Sequence, residues 1–248
     1  MNKTLTIGII VALVAVVAGG LWMWAGSMLS SFDQYGAPYT NNGNRETAKG
    51  TVYVSIKDAA VNMQNVTKVE MAVDKIYLHS QGGGWITLSQ DSQTFSLLEL
   101  KEGNKAALAA KTEIAAGTYD QIWLHVASVK VTENGRVKEA VLPSSDIIMG
   151  AYVKVIANAD SSAMVDIIAD ESLHKTAKGE FIFAPVIAFE SRSNATVAVG
   201  TDNMVIISGG TVDATVTAGM DITGEVKSNF KLDLAADLEV DAGIINIK

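Results

Sequence analysis

From Gly50 onward the chain alternates apolar and polar residues in one strand-length run after another, and a period of two leaves little room for anything but β-structure. In residues 51–57, Val52, Val54 and Ile56 fall on one face, and Tyr53, Ser55 and Lys57 on the other. Val69, Met71 and Val73 alternate likewise, and after Asp74 the phase slips to Ile76 and Leu78, which predicts a bulge. Gly82-Gly83-Gly84 reads as a hairpin turn that re-enters a strand at Trp85. Further strands are expected at 95–100, 120–132, 137–142, 152–157, 163–169 and 180–189, while only 104–111, Asn-Lys-Ala-Ala-Leu-Ala-Ala-Lys, has the composition of a helix. Many short strands with Gly and Asn turns predict an all-β fold, an antiparallel β-sandwich over residues 50–190. After Asn194 a second run of short alternating strands predicts a C-terminal β-rich unit over 195–248, either a meander or a short solenoid. Its terminal run Ile244-Ile245-Asn246-Ile247-Lys248 is an apolar edge that needs a cover, from its own chain or from a neighbouring copy.

The first part of the chain obeys different rules. Residues 5–26 carry no charge, and as a helix they would reach about 33 Å, enough to cross the hydrocarbon of a bilayer. Trp22 and Trp24 stand where interfacial anchors belong, and Lys3 precedes the run while no cation follows before Arg45. The expectation is a cytoplasmic stub (1–4), an uncleaved transmembrane signal anchor (5–26) in the lipid bilayer, a linker (27–49) and a body outside the cytoplasm. A cleaved signal peptide is the alternative, although the run is long for one. The chain has no cysteine, so disulfides, thiolate metal sites and lipid attachment at a cysteine are excluded. A net charge of −8 argues against a nucleic-acid partner.

An ordered set of short motifs runs through the body. Gly50-Thr51 leads a strand that Asp58-Ala59 closes, and Trp85-Ile86-Thr87-Leu88 and Phe95-Ser96-Leu97-Leu98-Glu99-Leu100 follow. Then come Ala116-Gly117-Thr118-Tyr119-Asp120-Gln121-Ile122, Leu142-Pro143-Ser144, Asp166 with Ser172, and Ala184-Pro185-Val186-Ile187. Over residues 50 to about 190 the chain resembles family 4382 of the domains of unknown function, found in prokaryotic surface proteins and lipoproteins. The resemblance implies an extracytoplasmic β-sandwich and brings no activity, cofactor or site. Two positions depart from the family's pattern: Ala60 stands in place of a proline, and Trp123 in place of a frequent arginine.

The densest polar cluster is Asp166, Asp170, Glu171 and His174, whose oxygens and imidazole form a candidate set of ligands for a divalent cation. The competing reading has Asp and Ser at a strand end capping local backbone groups. His79 and His125 lie in strands and lack a third ligand for zinc. Ser172, Asp170 and His174 are too close in sequence to form a catalytic triad, and no Gly-x-Ser-x-Gly elbow is present. Asn65-Val66-Thr67 and Asn194-Ala195-Thr196 match the N-glycosylation pattern. The expected function is a membrane-anchored, surface-displayed, non-catalytic binding or structural module that meets an extracellular ligand or a neighbouring copy. The alternative is an extracytoplasmic metal-assisted hydrolase built on the Asp166 to His174 cluster.

Overall fold

The computed structural model describes residues 47–58, 65–102, 106–232 and 238–247. The expected membrane helix, nearly all of the linker and the turn at Ala60 lie outside the described residues. Among those described, no helix is long and apolar enough to cross a membrane. Residues 46–248 form one compact, all-β unit.

Among the described residues this unit holds two eight-stranded sheets and a two-stranded one. The first runs in the spatial order β13 (Thr196–Val199), β14 (Met204–Ser208), β5 (Ala106–Ala115), β1 (Lys49–Asp58), β9 (Asp160–Ile167), β12 (Val186–Ser193), β15 (Thr211–Met220) and β16 (Val226–Ser228). The second runs β10 (Leu173–Lys175), β11 (Phe181–Phe183), β7 (Arg136–Val141), β6 (Gly117–Glu133), β2 (Val66–Ser80) and β3 (Gly84–Ser89). In it β4 (Gln93–Ser96) also pairs with β2, and β8 (Asp146–Val155) with β6. Two short helices, α1 (Leu97–Glu102) and α2 (Ala169–Ser172), interrupt the strands, and β17 (Leu238–Asp241) and β18 (Ile244–Ile247) close the chain as a hairpin.

The alternation translates directly into burial. Val52, Val54 and Ile56 of β1, Leu78 of β2 and Ile122 of β6 are completely buried, and side chains of both sheets join one hydrophobic cluster. Each such side chain contributes roughly 1.5–3 kcal/mol on leaving water. The bulge predicted near Asp74 is present as register shifts on either side of Val73 against β6. Gly50 has a steric reason. A Cβ there would stand 2.2 Å from the carbonyl oxygen of Ile156, in the turn whose Asn158 and Ala159 bond the backbone of Lys49 and Thr51.

Three expectations require correction. The pairing is not purely antiparallel: β1 and β9 are parallel over eight registered pairs, and β7 and β11 are also parallel. Parallel neighbours need a long crossover, and here β2 to β8, all of them second-sheet strands except β5, lie between β1 and β9 in sequence. Helix and strand are exchanged around residue 103. Leu97 to Glu102 turn as α1, placing Leu97 and Leu100 in the core, whereas the alanine-rich 106–115 is the strand β5 along β1. Partners on both sides of β5 override the helix preference of its alanines.

Nor do residues 195–248 stand as a separate unit. Strands β13 and β14 extend the first sheet beyond β5, and β15 pairs with β12 along its length, so the sheet is continuous across residue 195. Only the final hairpin is a sheet of its own. It docks on its own chain, where Leu238 and Val240 pack with Ile182 beside Val141, Ile222 and Leu232. An ion pair from Lys178 to Glu239 sits at its side. Deleting residues 243–248 removes the partner of β17 and is expected to lower the melting temperature by several degrees at unchanged molecular mass. Differential scanning fluorimetry with light scattering checks this, and lost oligomers without lost stability would reverse it.

Candidate functional site

The proposed metal cluster is not assembled. Asp166 sits in β9 between Lys57 and Ala188, Asp170 is exposed in α2, Glu171 of the same helix faces Lys231 at 3.6 Å, and His174 belongs to the other sheet opposite Ile182. Among the described residues no three His, Asp or Glu side chains are grouped to hold a metal ion. The capping alternative describes their neighbours. Asp58 accepts the backbone N–H of Ala169 at 3.3 Å. The Ser172 hydroxyl donates to the carbonyl of Ile168 at 2.7 Å and accepts from the N–H of Val186 at 2.8 Å. A serine committed to a helix turn and to the following strand is not poised as a nucleophile. Burial pushes the Asp166 carboxyl above its usual value and the His174 imidazole down to about 4.

A different group of side chains comes together on the outward face of the second sheet, across β3, β2, β6 and β8. Registered pairing sets them in rows. One row holds Thr87, Tyr77, Trp123 and Ile148, the next Trp85, His79, Gln121 and Gly150, and a third Lys75, His125 and Asp146. Between these outward residues along β2 and β6 lie the buried Ile76, Leu78, Ile122 and Leu124. Thus the same alternation that builds the core places the rings outside it.

The rings touch one another. Tyr77 stacks on Trp123 with centroids 4.8 Å apart, Trp85 meets Trp123 edge to face at 5.6 Å, and His79 meets Trp85 at 5.1 Å. Polar partners hold the assembly in place. The Trp123 indole N–H donates to Asp146 at 2.9 Å, His79 Nδ1 donates to Asp120 at 2.7 Å, and His125 Nδ1 donates to Asp74 at 2.5 Å. A carboxylate accepts only, so each imidazole carries its proton on Nδ1 and turns Nε2 away from its Asp. The bond from His79 holds the Asp120 carboxyl below its usual range. His79 and His125 therefore each have a carboxylate of their own, and neither pairs with the other across the sheet.

The strip is open to solvent, with Trp85 39% and Ile148 43% exposed. At its β8 end it runs into a groove of about 390 Å³ between β8 and the pair β15 and β16. Asp120, Gly150, Tyr152 and Lys227 are among the lining residues, and the space above Gly150 is empty within 4 Å of where a Cβ would stand. The Lys227 ammonium is tied to Asp221 at 2.6 Å and to Glu225 at 3.2 Å.

None of these rings was singled out from the sequence as a site, yet the signal was present. Tyr77, His79 and Trp123 occupy the polar phase of their strands, in a chain with only 6% aromatic residues. A large ring in an outward position is the informative exception to burial.

No curated protein and no solved structure matches the chain. One family does, the domain of unknown function DUF4382, over residues 49–185. The matched segment ends just before β12, so β12 to β16, five of the eight strands of the first sheet, lie beyond it, whereas every strand of the second sheet, aromatic strip included, lies inside. The match covers more than half of the 248 residues and agrees with the resemblance carried by the motifs from Gly50 to Ile187, and the chain belongs to this family of domains of unknown function.

Proposed function

We propose that the chain is a membrane-anchored binding module, non-catalytic, with a β-sandwich body held outside the cytoplasm. The aromatic face of its second sheet is the contact surface. One observation carries the binding reading: Tyr77, Trp123 and Trp85 form a continuous ring cluster on the solvent side of a sheet whose other side is already packed. Exposing such apolar area has no role in folding, and contiguous patches of this kind mark interaction sites. The uncharged segment 5–26, with Lys3 before it and Trp22 and Trp24 near its end, supports the anchor.

Two experiments test the two halves. A photo-crosslinking residue in place of Trp85 is expected to form an adduct on intact native cells, while one in place of Val137, 63% exposed on β7 and away from the rings, is not. Equal labelling at both positions, or at neither, removes the case for a binding face. Protease added to intact cells is expected to release the body and leave a short membrane-bound fragment, and a mature chain that begins after Gly26 would refute the anchor.

A further inference from the structure

The aromatic strip also narrows the class of ligand, an inference that rests on the binding-module reading above. We infer that the strip and its groove bind a neutral glycan, an oligosaccharide or polysaccharide chain lying across β3, β2, β6 and β8.

The geometry excludes two other uses of aromatic residues. Ring centroids 4.8 and 5.6 Å apart are in direct contact, so no ammonium fits between the rings as it would in an aromatic cage, and no base or planar group slides between them. A ligand has to lie along the strip. It meets ring surface that alternates with hydrogen-bonding groups, Asp120, His79 and Asp146 held by bonds of their own and Gln121 in the same row as His79. A pyranose presents the same alternation, a face of C–H bonds that rests on an aromatic ring and a rim of hydroxyls that both donate and accept. The carboxylates of Asp120 and Asp146 are already oriented by His79 and Trp123, and each retains acceptor capacity for a hydroxyl.

Charge selects within the glycans. The three rows and the carboxylates bonded to them hold Asp74, Asp120 and Asp146 against a single lysine, Lys75, and the groove's Lys227 is neutralised by two carboxylates. The chain as a whole carries −8. A sulfated, phosphorylated or uronate chain would be repelled, and a neutral one would not. A protein partner would also use Trp and Tyr, but such anchors work inside a dry apolar surround, and here Ile148 is the one aliphatic neighbour in rows that also hold Asp146, Gln121 and His79. Three strand spacings separate β3 from β8, about 14 Å, and the groove continues beyond. That length suits a chain of sugars better than a single one.

The test uses the full-length protein in detergent micelles, titrated with cello-, chito- and manno-oligosaccharides and, as the counter-probe, polygalacturonate. Binding is read by calorimetry and by the change in intrinsic tryptophan fluorescence, to which Trp85 and Trp123 contribute beside Trp22 and Trp24. At least one neutral series is expected to bind, with affinity that rises with chain length and is unaffected by salt. Trp123→Ala is expected to weaken it by roughly tenfold or more. Gly150→Tyr, which fills open space, is expected to block it at an unchanged melting temperature. Binding of the anionic polymer alone, full affinity in both variants, or no binding by any neutral series overturns the glycan assignment. The crosslink at Trp85 separates the two levels. An adduct that glycosidases digest supports both readings. An adduct that proves to be protein leaves the binding module standing and overturns the glycan, and no adduct overturns both.

Discussion

Ile122→Asp is expected to leave the body without a cooperative fold, while Ile148→Asp, on the neighbouring strand, is expected to leave it intact. Ile122 is completely buried in β6 between Leu78 of β2 and Met149 of β8, both core residues themselves. The substituted carboxylate would have no donor within its layer and no water. Burying an unpaired charge costs several kcal/mol even after the group shifts toward its neutral form, and the lost isoleucine packing adds 2–5 kcal/mol by the usual scale of large-to-small core changes. Together these reach the whole stability margin of a typical domain, about 5–15 kcal/mol. Leu97→Asp is expected to behave the same way, because Leu97 is the fully buried anchor of α1. Ile148 is opposite Trp123 in the outward phase, 43% exposed, so aspartate there stays in water and stability should move by about 0.5 kcal/mol or less. Far-ultraviolet circular dichroism and urea titration of the three variants check this. A folded Ile122→Asp protein would mean that the layer it occupies is not the core.

The contrast between those two isoleucines measures what was legible in the sequence. Alternation is local, so the faces of β1, β2 and β6 and the bulge beside Val73 could be read from neighbouring residues alone. Strand partners are not local. Nothing in residues 49–58 announces a parallel neighbour more than a hundred positions away at β9, and nothing in 211–220 announces β12 as a partner. The separate-unit reading of 195–248 followed from a change in texture, but backbone hydrogen bonds are indifferent to texture and carry the first sheet straight across it. The exchange of α1 and β5 has the same origin. Ala106 to Ala115 prefers helix in isolation, and only the pairing with β1 and β14 makes it a strand. The site was hidden for a related reason. Asp166 to His174 is dense in sequence and dispersed across two sheets, whereas Tyr77, Trp85 and Trp123 are dispersed in sequence and dense in space.

His174, once a candidate ligand, has a different consequence. His174 is 1% exposed and neither ring nitrogen has a hydrogen-bond partner among the described residues, so the charged form is strongly disfavoured and the pKa falls from 6.5 to about 4. In the unfolded chain the imidazole titrates near its ordinary value. Between about 4 and 6.5 the unfolded state therefore binds a proton that the folded state refuses, and stability must fall as the pH is lowered through that window. A depression of this size corresponds to roughly 3 kcal/mol, a substantial part of a domain's margin. The carboxyls of Asp120, Glu133 and Asp221, held below their usual values, lose their contribution only as the pH falls below that range, so the histidine acts first. Asp166, whose carboxyl is raised, works in the opposite sense and partly offsets them. His174→Leu removes the titrating group without breaking a hydrogen bond. It is expected to match or exceed the original stability at neutral pH and to flatten the profile between pH 6.5 and about 4. Urea midpoints measured across that range for both proteins decide the matter. An undiminished slope in the variant would show that the acid sensitivity does not come from the buried ring.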